Sequence, residues 1–316
     1  MSAPLINGLH HVTAVCGAPQ RNFDFYSGLL GLRLVKKTVN FDDPGTYHLY
    51  YADGAGTPGS VLTFFPWVEA PAGRVGAGQV SAIAYAVSEP GFAYWQGRLA
   101  ANKVEFHGPK ARFDETYIEF ADPDGLKLEL VVADQSAAFT AWANSPVPAA
   151  MQFRGFHSVT LAESDVGPTQ ALLTTQMGWT LVKEQDGRFR YRAPTTWPAS
   201  LVDVIHAPGA PGGLPGTGTV HHVAFRVDSD ATQQAWRNQL RELGYHVSPV
   251  MDRTYFHSIY YREPGGVLFE IATNPPGFTV DEPAGTMGTS LKLPEQYEPL
   301  RTQIEKALPS LKSTAA

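Results

Sequence analysis

Two pairs of adjacent histidines, His10-His11 and His221-His222, mark a chain that holds ten histidines and one cysteine, Cys16. Each pair opens an apolar run, Leu9-His10-His11-Val12-Thr13 and Val220-His221-His222-Val223-Ala224. An acid, Glu270, lies inside a third such run, Val267-Leu268-Phe269-Glu270-Ile271. A carboxylate loses its hydration when buried, so Glu270 needs water at a strand end, a buried arginine or a metal ion. Two imidazoles and one carboxylate that leave open coordination positions form the ligand set of non-haem Fe(II) oxygenases. His11, His222 and Glu270 make that set. A lone strand histidine is more often a packing residue. His48, His107, His206, His246 and His257 are read that way, on the surface or in packing. Cys16 reads as a small core hydrophobe, and one cysteine excludes an internal disulfide framework or a thiolate cluster.

The elements that must position these residues repeat. Gly8 to Val15 reads as a strand, Asn22 to Leu30 as a short amphipathic helix stopped by Gly31, and Arg33 to Val39 as a second strand. Tyr47 to Tyr51 and Ser60 to Phe65 follow, so the order is βαβββ. The order recurs from Val80, with a helix at Gly91 to Ala101 and strands at Val104 to Phe106, Tyr117 to Phe120 and Leu126 to Val132. A third copy opens at Gly155 to Thr160, with a helix near Thr169 to Met177 and a strand at Gly178 to Lys183. The fourth opens at Val220 to Phe225 and has a helix near Thr232 to Leu243. It closes in a hairpin turned by Glu263-Pro264-Gly265-Gly266.

Each copy carries a proline before its last strand: Pro58, Pro123, Pro198 and Pro264. Six residues later stand Phe64, Glu129, Val204 and Glu270. The slot of His11 in the first strands holds His11, Ala82, Ser158 and His222. Only the first and fourth copies together supply two histidines and an acid, so these two are expected to share the cleft. Glu129 is then a relic or a structural acid near Arg112. Two copies per domain give an N-terminal domain over residues 1–140, a C-terminal domain over 151–280 and an extension over 281–316. Ala133 to Ala150, rich in Ala, Ser and Pro, reads as the linker, and Glu295 to Leu311 as a terminal helix interrupted by Pro309.

Composition narrows the class. A chain of 316 residues, 43% hydrophobic, fits two globular domains. The net charge of −6, with no basic stripe, argues against nucleic acid as a partner. No apolar run is long enough to span a bilayer. Met1 to Asn7 lacks the basic and apolar regions of a signal peptide, so a cytoplasmic protein is expected.

The repeats, the Phe25-Tyr26 and Leu30-Gly31-Leu32 stretch and the final hairpin resemble the vicinal oxygen chelate superfamily, which includes glyoxalase I, bleomycin-resistance proteins and extradiol dioxygenases. Tyr47-His48-Leu49-Tyr50-Tyr51-Ala52-Asp53, Arg154-Gly155-Phe156-His157-Ser158 and His221-His222-Val223-Ala224-Phe225 resemble the hydroquinone and chlorohydroquinone 1,2-dioxygenases within it. The resemblance implies an α+β fold of four βαβββ modules in two domains with curved mixed sheets. It also implies metal ligands at His11, His222 and Glu270, holding Fe(II), with Mn(II) as the alternative. Where catechol-cleaving relatives carry an acid/base histidine, this chain holds Arg253, which stays charged and cannot cycle protons. That favours a hydroquinone over a catechol. The acid/base role then falls to Tyr260, His10, His221 or a water, and Thr13 is a pocket candidate on the face of His11. Ideal strand alternation turns His10 and His221 away from the metal, unless a twist or bulge brings them near. The implied partners are a small aromatic substrate and O2, with a homo-oligomer as a further option. Two other readings keep the fold: a glyoxalase-type metal-dependent isomerase or lyase, and a non-catalytic protein that binds an aromatic compound.

Overall fold

The computed structural model describes residues 5–133, 135 and 138–312. The expected linker residues 134, 136 and 137 and the end of the extension, 313–316, lie outside the described residues. The first module comprises β1 (Leu9–Cys16), α1 (Pro19–Phe23) running into a π-helical Asp24–Leu29, β2 (Arg33–Asn40), β3 (Asp43–Ala52) and β4 (Val61–Pro66). The second comprises β5 (Gln79–Val87), α2 (Glu89–Ala101), β6 (Phe106–Arg112), β7 (Glu115–Ala121) and β8 (Lys127–Val132). The third has β9 (Phe156–Glu163), α3 (Gly167–Ala171) running into a π-helical Leu172–Gln176, β10 (Thr180–Gln185), β11 (Arg188–Arg192) and β12 (Leu201–His206). The fourth has β13 (Thr219–Val227), α4 (Asp230–Glu242), β14 (Met251–Asp252), β15 (Phe256–Arg262) and β16 (Leu268–Pro276). The βαβββ repeat is therefore present four times. One strand moves: the expected Val104 to Phe106 strand starts at Phe106, because Lys103 takes a left-handed φ of 58° and the Val104 N–H still caps α2 through the Leu99 carbonyl.

Two mixed eight-stranded sheets form the α+β body, in the orders β14-β15-β16-β13-β1-β4-β3-β2 and β10-β11-β12-β9-β5-β8-β7-β6. The first joins modules one and four through the antiparallel pair β1 and β13; the second joins modules two and three through β5 and β9. Division by sheet thus differs from the division by chain position at 1–140 and 151–280. The first strands of two modules would otherwise be unpaired edges, and the partner that completes each ladder comes from the other half of the chain.

The ladders also correct the acid slots. In parallel pairing, Thr63 stands beside Thr13, Glu129 beside Ala84, Asp203 beside Thr160 and Glu270 beside Ala224. Each partner lies two residues after the His11-type slot, so the equivalent residues are Thr63, Glu129, Asp203 and Glu270. The expected Phe64 and Val204 are one residue too far and point into the core, fully buried. The cause is turn length. β4 and β12 begin three residues after their prolines, whereas β8 and β16 begin four after theirs.

Residues beyond 280 strap onto module one. Lys36, fully buried on β2, pairs at 2.5 Å with both Asp281 and Glu282. The Lys292 N–H donates to the Lys37 carbonyl at 2.9 Å, and the Tyr297 hydroxyl donates to the Phe41 carbonyl at 2.7 Å. The expected terminal helix is shorter than read: a 3-10 stretch, Glu295–Leu300, precedes α5 (Arg301–Ala307).

The turn between β15 and β16 is seated on the end of β9. The Thr169 hydroxyl and the Val267 N–H donate to the Glu263 carboxylate at 2.6 and 2.9 Å. A side chain at Gly265 would overlap the carboxylate of Glu163. Burial, with Glu263 beside it, pushes the Glu163 carboxyl up to about 8. A raised folded-state value means that the native state holds a proton the unfolded chain releases, so this site costs stability as pH rises from the ordinary carboxylate range to about 8. Wild-type protein should melt lower at about pH 8.5 than at about pH 5.5, and Glu163→Gln should remove most of that difference in a thermal scan. An unchanged difference would show that the proton is held elsewhere.

Candidate functional site

The first sheet brings His11, His222 and Glu270 together. His11 Nε2 lies 3.3 Å from His222 Nε2 and 3.4 Å from Glu270 Oε2, and His222 Nε2 lies 2.9 Å from Glu270 Oε2. All three side chains are buried, and their candidate ligand atoms fall within 4.8 Å of one another. Glu270 Oε1 accepts a hydrogen bond from the Ser258 hydroxyl, while Oε2 receives no directed hydrogen bond despite its two imidazole neighbours. Close approach of three donor atoms, with Glu270 Oε2 left without a hydrogen-bond partner, is what side chains aimed at a common point produce. Burial alone would raise the Glu270 carboxyl, but His11 and His222 hold it well below the ordinary carboxylate range. Burial, opposed only in part by Glu270, lowers His222, so its imidazole is neutral near pH 7, as ligation requires. The set therefore fits a divalent metal ion with N, N and O donors.

Two β-bulges build this arrangement. In the ladder of β1 with β13, Leu9 faces Phe225 and His11 faces Ala224, which leaves His10 as the extra residue. Thr13 faces His222 and Ala14 faces Val220, which leaves His221 extra. A bulge breaks the alternation that would turn these histidines away. His10 Nδ1 comes to 2.9 Å from His11 Nδ1, and His221 Nδ1 to 2.7 Å from His222 Nδ1. Each outer ring thus touches the nitrogen that its neighbour does not aim at the centre. Burial and the adjacent imidazole hold His10 well below its ordinary value and His221 down to about 3, so both are neutral acceptors for an Nδ1–H. Such contacts fix tautomer and ring angle in metal-bound histidines. His221→Phe should weaken metal binding by about 10–100-fold with the fold intact. Chelator competition, with circular dichroism as the folding control, reads this directly; unchanged affinity would leave His221 without an orienting role.

Beside the three side chains lies a cavity of about 330 Å³, walled by Phe41, Phe65, Trp67, Phe256 and Leu268. Its size is at the small end of ligand pockets. His221, Tyr260 and Arg253 line it, whereas Thr13 and His10 are absent from its lining. Arg253 Nε donates to the Tyr260 hydroxyl at 3.4 Å, and its guanidinium lies 5.6 Å from the Tyr260 ring centroid. Burial and Glu270 push the Tyr260 phenol above its ordinary value, so it remains a hydroxyl.

Thr13 is fully buried and shares a 2.7 Å hydrogen bond with Thr63. Thr63 meets His48 Nε2 at 2.8 Å, and the Tyr50 hydroxyl meets His48 Nδ1 at 2.8 Å. His48, read from the sequence as a surface or packing residue, stands on the pocket wall with Tyr50. A signal for it existed: Tyr50 faces Thr63 as Tyr260 faces Glu270, so His48 occupies the slot of Ser258. Phe41 and Asp42 were also missed, because the turn between β2 and β3 has no periodicity to read.

The second sheet shows what the same cradle does without imidazoles in the ligand slots. Its equivalent positions are Ala82, Ser158, Glu129 and Asp203. Arg112 forks onto Glu129 at 3.0 and 2.7 Å, which makes Glu129 a structural acid. Arg190 forks onto Asp203 at 2.6 and 2.9 Å, and Arg188 adds a contact to Asp203 at 2.9 Å. Guanidinium groups neutralise the acids there.

Comparison with known proteins places this geometry in a family. Residues 8–130 and 155–271 match the Glyoxalase/Bleomycin resistance protein/Dioxygenase superfamily. The provisionally named ring-cleaving dioxygenase MhqO of Bacillus subtilis is 46% identical over 301 residues, covering 95% of each chain. The chlorohydroquinone/hydroquinone 1,2-dioxygenase of Sphingobium indicum is 35% identical over 311 residues, covering 96% of each. A crystal structure of a provisionally named dioxygenase from Bacillus subtilis superposes with a TM-score of 0.95 at 45% identity, covering 99% of this chain and 100% of that one. Glyoxalase I of Zea mays shares the fold at a TM-score of 0.62 and 14% identity, over 84% of this chain and 92% of its own. With a match across both halves and relatives of this identity over nearly its whole length, the chain belongs to the ring-cleaving dioxygenases of the Glyoxalase/Bleomycin resistance protein/Dioxygenase superfamily.

Proposed function

We propose that the chain is an Fe(II)-dependent dioxygenase that opens the ring of hydroquinone-like aromatics, in the breakdown of aromatic compounds in the cytoplasm. The observation that carries this reading is the meeting of His11, His222 and Glu270 at the wall of a small aromatic pocket that presents Arg253. Held by those three residues, Fe(II), or Mn(II) in its place, would supply the path for electrons from ring to O2 and lower the pKa of a bound substrate hydroxyl. The reaction balances without an external reductant: the bond between the hydroxylated carbon and its neighbour breaks, and both oxygen atoms end in the product.

The chain's own groups have distinct tasks. Phe65, Trp67 and Phe256 bind the ring by its faces and edges and exclude water. The Arg253 guanidinium and the Tyr260 hydroxyl donate hydrogen bonds to oxygen that gains negative charge. His221, neutral and on the pocket wall, accepts at Nδ1 from His222 and so carries an Nε2–H donor, and the proton that a substrate hydroxyl releases goes to water. His10 and Thr13 act behind the wall, as the supports of His11 and of the Thr63 and His48 chain.

Oxygen-electrode measurements on protein loaded anaerobically with Fe(II) or Mn(II) test the proposal. Hydroquinone should drive uptake of one O2 per ring opened, and catechol should be a poorer substrate. Isomerase or lyase turnover without oxygen would replace the proposal with the glyoxalase-type reading. Binding of hydroquinone with no turnover under either metal would replace it with the sequestering one.

A further inference from the structure

We infer that Asp42 sets the charge preference of the pocket: by neutralising Arg253, it reserves the pocket for uncharged rings and turns away rings that carry a carboxylate. This inference rests on the proposed hydroquinone reading and adds a specificity determinant to it. Two charged side chains of opposite sign line the pocket, Asp42 from module one and Arg253 from module four. Arg253 Nη2 lies 3.1 Å from Asp42 Oδ2. The remaining wall is aromatic or aliphatic, apart from Asn40 and the imidazoles of His11, His48, His221 and His222.

Asp42 is held where it can do this. Its own N–H donates to Asn40 Oδ1 at 3.0 Å, and the preceding Phe41 carbonyl accepts from Tyr297 of the C-terminal strap at 2.7 Å. The turn is thereby fixed from inside and outside. On the other side, Nε of Arg253 is committed to Tyr260, so the Nη2 edge is the one that Asp42 occupies.

A ring carboxylate entering the pocket would seek the same guanidinium edge. It would have to displace Asp42, and it would meet that like charge at contact distance. An uncharged ring meets neither penalty. Without the Asp42 charge, Arg253 presents a free fork suited to bidentate carboxylate recognition. Asp42 is substantially exposed, so the penalty is screened by salt and is a preference rather than an absolute bar.

The experiment compares wild type, Asp42→Asn and Asp42→Glu, each loaded with Fe(II). The probes are hydroquinone and the dihydroxybenzoate whose two hydroxyls are para to each other. Steady-state oxygen uptake gives the ratio of kcat/KM for the two, and calorimetric titration under nitrogen gives the ratio of their Kd values independently of turnover. Asp42→Asn should raise both ratios on the order of tenfold in favour of the carboxylated ring, more at low salt than at high salt. Asp42→Glu should stay near wild type, which a merely structural role for the turn would not predict. Binding ratios that stay unchanged or fall in Asp42→Asn would overturn the inference. Absent oxygen uptake with a shifted binding ratio would overturn the hydroquinone dioxygenase reading and leave the charge preference standing.

Discussion

Glu270→Gln will leave a folded protein that neither retains metal nor consumes oxygen. The amide keeps an oxygen that can accept from the Ser258 hydroxyl, as Glu270 Oε1 does now. Burial of a neutral amide costs less than burial of a carboxylate, so the core tolerates the change. The metal site does not, because a neutral amide oxygen is a poor donor beside His11 and His222. Loss of an outer partner of a metal ligand costs about 10–100-fold in affinity or activity, and loss of the ligand itself should exceed the upper figure. Metal content by mass spectrometry and oxygen uptake should fall together.

Glu129→Gln should do the reverse. It occupies the equivalent slot in the second sheet, where its partner is the buried Arg112. Removing the carboxylate leaves that guanidinium without its main counter-charge, at a cost of about 3 kcal/mol or more in unfolding free energy. Metal content should be unchanged and turnover within a few-fold of wild type. Equal losses of turnover in the two variants would show that the active half has been misplaced. One slot, two environments and two opposite phenotypes make this pair more informative than either variant alone.

Arg253→Met should lower kcat by about two orders of magnitude with metal content intact. The guanidinium lines the pocket, and removal of one donor to a developing oxyanion costs about 2.7–4 kcal/mol in other enzymes. Methionine keeps much of the side-chain volume and loses every donor. Arg253→Lys should recover part of the loss, since an ammonium supplies charge without the planar fork that now spans Tyr260 and Asp42. Arg253→His should add a pH dependence near neutrality, because an imidazole exchanges protons there and a guanidinium does not. Normal hydroquinone turnover by Arg253→Met, or a wild-type preference for catechol, would remove both the role and the substrate class.

Much of the site was legible before any coordinates. The strand period placed His11 and His222 in one slot of a repeated unit, and Glu270 stood out as an acid within an apolar run. The elements themselves were legible for the same reason, since alternating and helical periods survive in the local pattern. The shared cleft of modules one and four followed from counting which copies supply which ligands. That count reached the right pair although two of its slots were wrong. Phe64 and Val204 were named where Thr63 and Asp203 stand, and neither substitution supplies the histidine that modules two and three lack.

The sequence by itself therefore determined the repeat, the donor set and the pairing of its donors, because these depend on residue types and short-range periods. Tertiary structure decided the rest. The ladders between β1 and β13 create the bulges that turn His10 and His221 toward their neighbours, and a bulge depends on the partner strand as much as on its own. His48 and Asp42 reach the pocket through a cross-strand contact and an aperiodic turn, where a side chain's surroundings come from residues distant in sequence.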